Sequence, residues 1–107
     1  MIARVWRGVA SAAQADAYLR HVAGSVFPAL ARLAGQRGGW VLKRETAGQV
    51  EFLVVSFWDS LDAIRTFAGP DPERAVVEPA ARALLAEFDE VVRHYEVAHS
   101  AEPKATR

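Results

Sequence analysis

The pattern of hydrophobic and polar positions along the chain predicts four strands and two helical regions. The strands are predicted over residues 2–9, 40–45, 50–58 and 89–98. The helical regions are predicted over residues 11–34, with a break near Phe27 caused by Pro28, and over residues 59–88, with a loop at 69–73 and a kink at Pro79. This order predicts an α+β, ferredoxin-like βαββαβ domain: an antiparallel four-stranded sheet in order 4-1-3-2 with the helices on one face.

Local signals indicate where the helices begin. Ser11 and Gln14 match the S-x-x-Q pattern of a capping box. Asp59 follows the third strand directly and is predicted to cap the next helix. Asp71 and Pro72 have the pattern of a cap followed by a first helical residue, which predicts a further helix over the rest of the second region.

The third strand is apolar on both faces. Because side chains alternate across a strand, one face receives Phe52, Val54 and Trp58, and the other receives Leu53, Val55 and Phe57. Helices on one side of the sheet can cover only the first face. Exposing a patch of large apolar residues to water is unfavourable. The pattern therefore predicts a homodimer in which the second face packs against a second copy of the chain. The alternative is that the patch is small or is covered by the chain's own tail.

Composition narrows the function classes. The 107 residues carry 13 Lys and Arg against 13 Asp and Glu, so a neutral chain gives no electrostatic reason to expect nucleic acid or a membrane as partner. There is no cysteine, which excludes disulfides and thiolate chemistry. The N-terminus lacks a signal-peptide pattern, which predicts a cytoplasmic protein. Residues 1–99 are predicted to form one domain, and residues 100–107 a disordered tail.

Motifs for familiar active sites are absent from the sequence. There is no nucleophile elbow with a histidine and an acid, no glycine-rich phosphate loop and no cluster of histidines and acids at metal-ligand spacing. The sequence therefore predicts neither a cofactor nor a metal.

One stretch carries a family resemblance. Trp58, Ser60, Ala63 and Phe67 form a W-x-S-x-x-A-x-x-x-F pattern at the end of the third strand and in the following helix. Together with "LAGQRGG" before the second strand and "RHYEVAH" in the last one, this pattern resembles the antibiotic biosynthesis monooxygenase (ABM) domain of the dimeric α+β barrel superfamily. The resemblance spans residues 1–99.

The resemblance implies a pocket in each monomer between the sheet and the helices. Some members of the family oxidise polycyclic aromatic substrates with O2 and neither metal nor flavin, others act on quinols, and a related branch binds and degrades haem. Catalytic members use an asparagine on the first strand, but this chain contains no asparagine, and the matching place falls at or beside Trp6. The haem-ligating histidine of the related branch has no counterpart either, since residues 60–93 lack histidine and the nearest position is about Val77.

Three residues are the candidates for catalysis: His94, His21 and Arg4. Either histidine could accept a proton near neutral pH, and the sequence leaves the choice between them open. For Arg4 the sequence predicts a structural ion pair with Glu90 or Glu96, and the functional alternative is that it orients a phenolate or carboxylate of a ligand.

Four aromatic residues are the candidates for substrate binding: Trp58, Trp6, Tyr18 and Phe67. The resemblance implies that Trp58 lines the pocket, while its simpler role is to fasten the following helix to the sheet. Trp6 either fills the pocket or forms a stacking wall for a flat ligand, and these two roles require opposite pocket volumes. Tyr18 shares one side of the first helix with His21.

Three functions follow in order. The first is a cofactor-independent monooxygenase that uses O2 on an electron-rich aromatic substrate, such as a quinol or an anthrol. The second is a noncatalytic module on the same fold that binds a small molecule or a partner, since a fold does not determine a function. Haem binding or degradation is third.

Overall fold

The computed structural model describes residues 1–101. Its helices and strands follow the predicted order, with the second helical region and the last strand each in pieces. In chain order the elements are β1 Ile2–Ser11, α1 Ala15–His21, a π-helical turn Val22–Val26, α2 Phe27–Leu30, β2 Gln36–Thr46, β3 Gln49–Trp58, α3 Leu61–Ala68, α4 Pro79–Arg82, β4 Glu87–Phe88 and β5 Arg93–Glu96. Residues 69–78, between α3 and α4, are called the connecting segment. The predicted disordered tail, residues 100–107, lies from residue 102 onward outside the described residues.

The strands form one antiparallel sheet in the order β2-β3-β1-β4, and β5 pairs with β1 as well. The prediction of a ferredoxin-like sheet in order 4-1-3-2 is confirmed, with β4 and β5 together in the place of the fourth strand. β3 is internal and pairs along its whole length with β1, from Ile2 opposite Trp58 to Ser11 opposite Gln49. No helix within residues 1–101 is long and apolar enough to cross a membrane.

The helices cover the face of β3 that the alternation predicts. Phe52 and Trp58 are completely buried there, and Ile64 of α3 is buried beside Trp58. On the opposite face Leu53, Val55 and Phe57 remain partly exposed.

Two predicted helix starts are wrong in detail. Ser60, not Asp59, caps α3: its hydroxyl oxygen accepts a hydrogen bond from the Ala63 backbone N–H at 3.1 Å. The Asp59 carboxylate instead accepts bonds from Arg37 at 2.7 and 3.0 Å, which secures the start of β2. The capping box does not form, because Ser11 is still paired in β1 with Gln49.

The helix predicted after Asp71 is also wrong, since only Pro79–Arg82 is helical in that region. Pro79 lies inside the predicted helix and lacks the backbone N–H that a continuous helix would use. Backbone carbonyls of the connecting segment instead accept hydrogen bonds from Arg4 on β1. The connecting segment therefore lies across the sheet in an irregular conformation, linked to residue 91 by a single bridge from Arg74.

Candidate functional site

A cavity of about 80 Å³ lies between the helix-facing side of the sheet, the first helix and the connecting segment. Five of the seven residues that the sequence predicts for the site line it: Arg4, Trp6, Tyr18, His21 and Phe67. Its other walls are mostly aliphatic. The cavity is therefore an apolar chamber with few polar groups, which is the usual character of a small-molecule site.

Arg4 brings a positive charge to this apolar chamber. The side chain is only 4% exposed, and its guanidinium lies 5.6 Å from the centre of the Phe67 ring. One terminal nitrogen donates to the Pro72 carbonyl, and the other donates to the Arg74 carbonyl at 2.8 Å. Burial lowers the pKa of the Arg4 guanidinium to about 10, so it is still charged at neutral pH.

The predicted ion pair of Arg4 with Glu90 or Glu96 does not form. Within residues 1–101, no carboxylate lies within ion-pair distance of Arg4. A buried cation held only by neutral acceptors keeps much of its attraction for an anion. Arg4 is thus the residue of the cavity lining that would attract an anionic ligand.

His94 is placed by β5 directly opposite Arg4 of β1. Its Nε2 lies 3.1 Å from Arg4 Nη1, and it accepts a bond from Arg4 when the ring is neutral with its proton on Nδ1. Burial, and next the charge of Arg4, lower the His94 pKa below its ordinary value, while Glu73 opposes them. His94 does not line the cavity, so it supports Arg4 from outside.

The lowered pKa of His94 has a consequence for stability against pH. In the unfolded chain this histidine takes up a proton near its ordinary pKa of 6.5, whereas the folded protein resists that proton. The stability that depends on neutral His94 is therefore present above about pH 6.5 and lost as the pH falls towards the lower folded value. We expect the urea midpoint to fall over this range, and to fall less in His94→Gln.

His99→Gln is the matched control for this pH series, because His99 is exposed. Carboxyl groups whose pKa values are lowered, Glu51 and Asp59, lose their contribution only in more acidic solution. An equal pH dependence in wild type and His94→Gln between pH 7 and about 5.5 would contradict the assignment.

His21 is a further polar residue of the cavity lining. It is the last residue of α1 and lines the cavity together with Tyr18, one turn earlier. Its Nε2 is buried and has no hydrogen-bond partner within residues 1–101. A buried nitrogen without a partner is unfavourable by about 1–3 kcal/mol, so this atom is available to a polar group of a ligand.

Trp6 lines the cavity, and its indole is held at one side. Its Nε1 donates to the Asp89 carbonyl at 2.7 Å, and the ring packs at an angle against Tyr18 and Phe88. The outer ring atoms lie over Gly8, where an added Cβ would be 2.6 Å from Trp6 Cη2. Burial raises the pKa of the Tyr18 phenol, which therefore stays neutral beside Trp6.

Trp58 does not line the cavity but contacts two residues that do. Its ring stacks on Phe67 with 5.9 Å between ring centres, and its Nε1 donates to the Ser56 hydroxyl at 2.9 Å. Trp58 therefore holds part of the cavity wall from within the core.

The whole W-x-S-x-x-A-x-x-x-F pattern has a structural reason. Trp58 stacks on Phe67, and Ser60 caps α3 through the Ala63 N–H. The Cβ of Ala63 faces Gly35, where an added Cβ would lie only 2.7 Å away, so α3 packs closely against the backbone at residue 35. The pattern thus describes how α3 is fastened to the end of β3, and it contains no group suited to proton transfer.

The connecting segment forms a part of the cavity wall that the sequence pattern did not indicate. Val76, Val77 and Glu78 line the cavity from this segment, and Ser56 lines it from β3. The helical pattern of residues 71–88 concealed the first three. Ser56, the one polar residue in the apolar run of β3, was the available signal for the fourth. No group of three metal-ligating side chains occurs in the part of the chain that the structure describes.

Comparison with known proteins adds a relationship at the level of fold. No protein-family model matches the sequence, and no curated protein sequence matches it significantly. Solved structures do match. A candidate antibiotic biosynthesis monooxygenase from Deinococcus radiodurans has a TM-score of 0.65 and 20% identity, covering 98% of this chain and 100% of that chain. The chain has the ABM fold.

Two further structures agree with the ABM fold. A candidate antibiotic biosynthesis monooxygenase from Bacillus cereus has a TM-score of 0.64 and 14% identity, with 98% of each chain covered. The haem degrader MhuD from Mycobacterium tuberculosis, with two haems bound in its active site, has a TM-score of 0.60 and 18% identity, covering 95% of this chain and 100% of MhuD. At these identities the likeness concerns the fold, and the ABM-like fold expected from the sequence is confirmed.

Proposed function

We propose that the protein is a cofactor-independent monooxygenase that binds an electron-rich aromatic substrate, a quinol or an anthrol, and oxidises it with O2. The observation that carries the proposal is the buried Arg4 guanidinium, which is charged, unpaired with any carboxylate of residues 1–101, and set in an apolar cavity. A phenolate is both the species that reacts with O2 and the species that such a cation stabilises.

His21 and Arg4 have different roles in the proposed reaction. His21 Nε2 takes the hydroxyl proton of the substrate, and Arg4 stabilises the phenolate that remains. A ring carbon of the anion then forms a bond to O2, and the resulting peroxide takes the proton back from His21. Loss of the remaining ring C–H proton with hydroxide leaves a carbonyl and one water, so the substrate supplies four electrons to O2. His94, whose Nε2 faces Arg4, positions that side chain and has no direct role.

Oxygen uptake with a panel of quinols and anthrols tests the proposal. We expect Arg4→Met to lower kcat/KM by about 100-fold, the effect typical of removing one group that stabilises an oxyanion. Arg65→Met is the control, because Arg65 is on the exposed side of α3, pairs with Asp62 and does not line the cavity. The proposal fails if wild-type protein consumes no O2 above the protein-free rate with any member of the panel.

A noncatalytic role in binding a small molecule is the second candidate, favoured by the absence of the first-strand asparagine that catalytic members of the resembled family use. The cavity of about 80 Å³ is smaller than the range of about 300–1,000 Å³ usual for ligand sites, so its size does not separate the two roles. Ligand binding without O2 uptake would support this role.

Haem fits this cavity poorly. The volume is far below what a porphyrin needs, and Val77 lines the wall near the position where the resemblance would place an iron ligand. The haem hypothesis therefore has no support from the residues of this chain.

We also propose that the protein is a homodimer through the outer face of the sheet, the face turned away from the helices. Its centre is apolar: Trp40 and Leu42 of β2 are 55% and 47% exposed and lie opposite Val55 and Leu53. Trp40 packs edge-on against Phe57 with 5.5 Å between ring centres. An exposed apolar sheet face of this kind is typical of an interface.

Three charged residues on the outer face, Glu51, Arg7 and Arg44, are already paired within one chain. Both oxygens of Glu51 accept bonds from arginines, Arg7 at 2.5 Å and Arg44 at 2.6 Å. A paired cluster can be covered by a second copy with less desolvation penalty than isolated charges. These contacts support a second copy of the chain as the partner of this face. The cytoplasmic location stays a prediction.

A further inference from the structure

Val77 of the connecting segment lies between the cavity and a neighbouring groove. It lines the cavity around Arg4, and it also lines a second, open groove of about 320 Å³. Asp71, Arg74 and Ala75 of the same segment form part of the groove wall. The cavity alone is smaller than a usual ligand site, whereas the cavity and the groove joined would reach that range, which begins at about 300 Å³. The connecting segment is thus the partition that limits the size of the site.

Arg4 is a principal attachment of this partition to the sheet. It donates to two carbonyls of the segment, those of Pro72 and Arg74. Two backbone bonds add to the attachment: the Ala75 N–H donates to the Glu90 carbonyl at 2.9 Å, and the Val92 N–H donates to the Glu73 carbonyl at 2.8 Å. Arg82 of α4 also holds the segment, because its Nε donates to the Val77 carbonyl at 3.0 Å. The segment itself contains no helix or strand. Polar contacts of this kind can be exchanged for others when a stronger acceptor arrives.

An oxyanion is a stronger acceptor for a guanidinium than a peptide carbonyl is. The contacts with Pro72, Arg74 and His94 account for three of the five N–H groups of Arg4. An anionic group that contacts both terminal nitrogens of Arg4 would therefore compete with the two carbonyls of the connecting segment.

The apolar walls of the cavity limit the shape and size of the ligand apart from its anionic group. Trp6, Tyr18 and Phe67 give aromatic surface around Arg4, which suits a flat ring. A dry cavity of about 150 Å³ holds benzene, and the present cavity is about 80 Å³. Displacing one side chain of the size of Val77 would enlarge the cavity enough for a ligand with one aromatic ring. It would not make room for a ligand with three fused rings.

We propose that the cavity binds a single-ring aromatic anion, of the size of benzoate or a simple phenolate, whose oxyanion replaces the Pro72 and Arg74 carbonyls on Arg4 and moves Val77 towards the groove. Binding thereby loosens the connecting segment. The inference rests on the proposed function, in which Arg4 is the partner of an oxyanion. It adds the size of the ligand and the displacement of Val77 that makes room for it.

Calorimetric titration with redox-inert probes tests the ligand class. Benzoate is the single-ring anion, benzamide is its neutral counterpart, and 9-anthracenecarboxylate is the three-ring anion. We expect benzoate to bind about tenfold or more tightly than benzamide, because the charge-assisted bonds to Arg4 are lost with the neutral probe. The three-ring anion should bind more weakly than benzoate. Equal binding of benzoate and benzamide would overturn the proposal.

Hydrogen exchange tests the movement. Benzoate should increase the exchange rate of backbone amides in residues 69–78 while leaving the amides of β3 unchanged. Binding of benzoate with unchanged or slower exchange in residues 69–78 would show that the segment is not displaced.

Two variants test the residues. Arg4→Met should weaken benzoate binding by about tenfold or more, whereas Arg65→Met should leave it unchanged. Val77→Ala, which trims the partition, should tighten benzoate binding by about threefold or more, because less must be displaced. Should Arg4→Met fail to fold, Val77→Ala and the benzamide comparison still decide: unchanged or weaker benzoate binding in Val77→Ala would contradict the proposal.

The probes separate this inference from the proposed function. Benzoate has no oxidisable hydroxyl, so its binding does not depend on turnover. Benzoate binding with no O2 uptake on any quinol would reject the monooxygenase and keep the ligand site. Turnover of three-ring substrates without benzoate binding would keep the monooxygenase and reject the single-ring site.

Discussion

Replacing Trp58 with alanine is expected to lower the free energy of unfolding by about 3–5 kcal/mol, the usual effect of removing a fully buried aromatic side chain. Trp58 is 0% exposed and forms one core cluster with Leu30 and Ile64. Domains of this kind have a total stability of about 5–15 kcal/mol, so a large part of it would be lost. Urea denaturation followed by circular dichroism measures the change.

Related variants separate the packing of Trp58 from its hydrogen bond. Ser56→Ala leaves the buried indole N–H without its acceptor and should lower stability by about 1–3 kcal/mol. Trp58→Phe removes the N–H as well, so adding Ser56→Ala to it should have a smaller effect than in wild type. Leu61→Ala, at a residue 39% exposed on α3, is the surface control. A loss below about 1 kcal/mol in Trp58→Ala would contradict the central place of Trp58 in the core.

Replacing Phe57 with aspartate is expected to convert the proposed dimer into a monomer. Each dimer would carry two new carboxylates in the apolar centre of its interface, beside Trp40 of the same chain. Burying unpaired charges is unfavourable by several kcal/mol, and about 4 kcal/mol already weakens association 1,000-fold. Light scattering at micromolar concentration should therefore report the mass of one chain for the variant and of two chains for wild type.

Ala13→Asp is the matched control, because it adds the same charge in an exposed turn outside the sheet. Its mass should equal that of wild type. Phe57 is only partly buried in a single chain, so the far-ultraviolet spectrum of the variant should show that the fold is kept. Wild-type protein that is monomeric at these concentrations, or a Phe57→Asp variant that remains dimeric, would reject the outer face as the interface.

Much of the fold was predictable because strand alternation and helical spacing are local properties of the chain. The two faces of β3 were assigned correctly, and so was the sheet order. The opposite orientation of Arg4 and Arg7 also follows from alternation alone, since Arg4 pairs with Ser56 on the helix side and Arg7 with Leu53 on the outer side.

Local signals failed where a distant residue competed for the same backbone. Residues 71–78 have the composition of a helix start, but the carbonyls of Pro72 and Arg74 accept bonds from Arg4, which is 68 and 70 positions away. Ser11 matches a capping box, but pairing with Gln49 retains it in β1. In each case a partner far along the chain offered the backbone a bond that the local pattern could not foresee.

The sequence by itself determined the layered sheet, the buried place of Trp58 beside α3 and the residue types that line a cavity. Only the tertiary structure decided that His94 faces Arg4 across β1 and β5, and that Arg4 is held by carbonyls where an acid was expected. It also decided that His21 lines the cavity and has a buried nitrogen with no hydrogen-bond partner within residues 1–101. The physical reason is the range of the interactions. Periodicity fixes which face a side chain takes, but the partner of a buried charge is set by segments that meet only after the chain has folded.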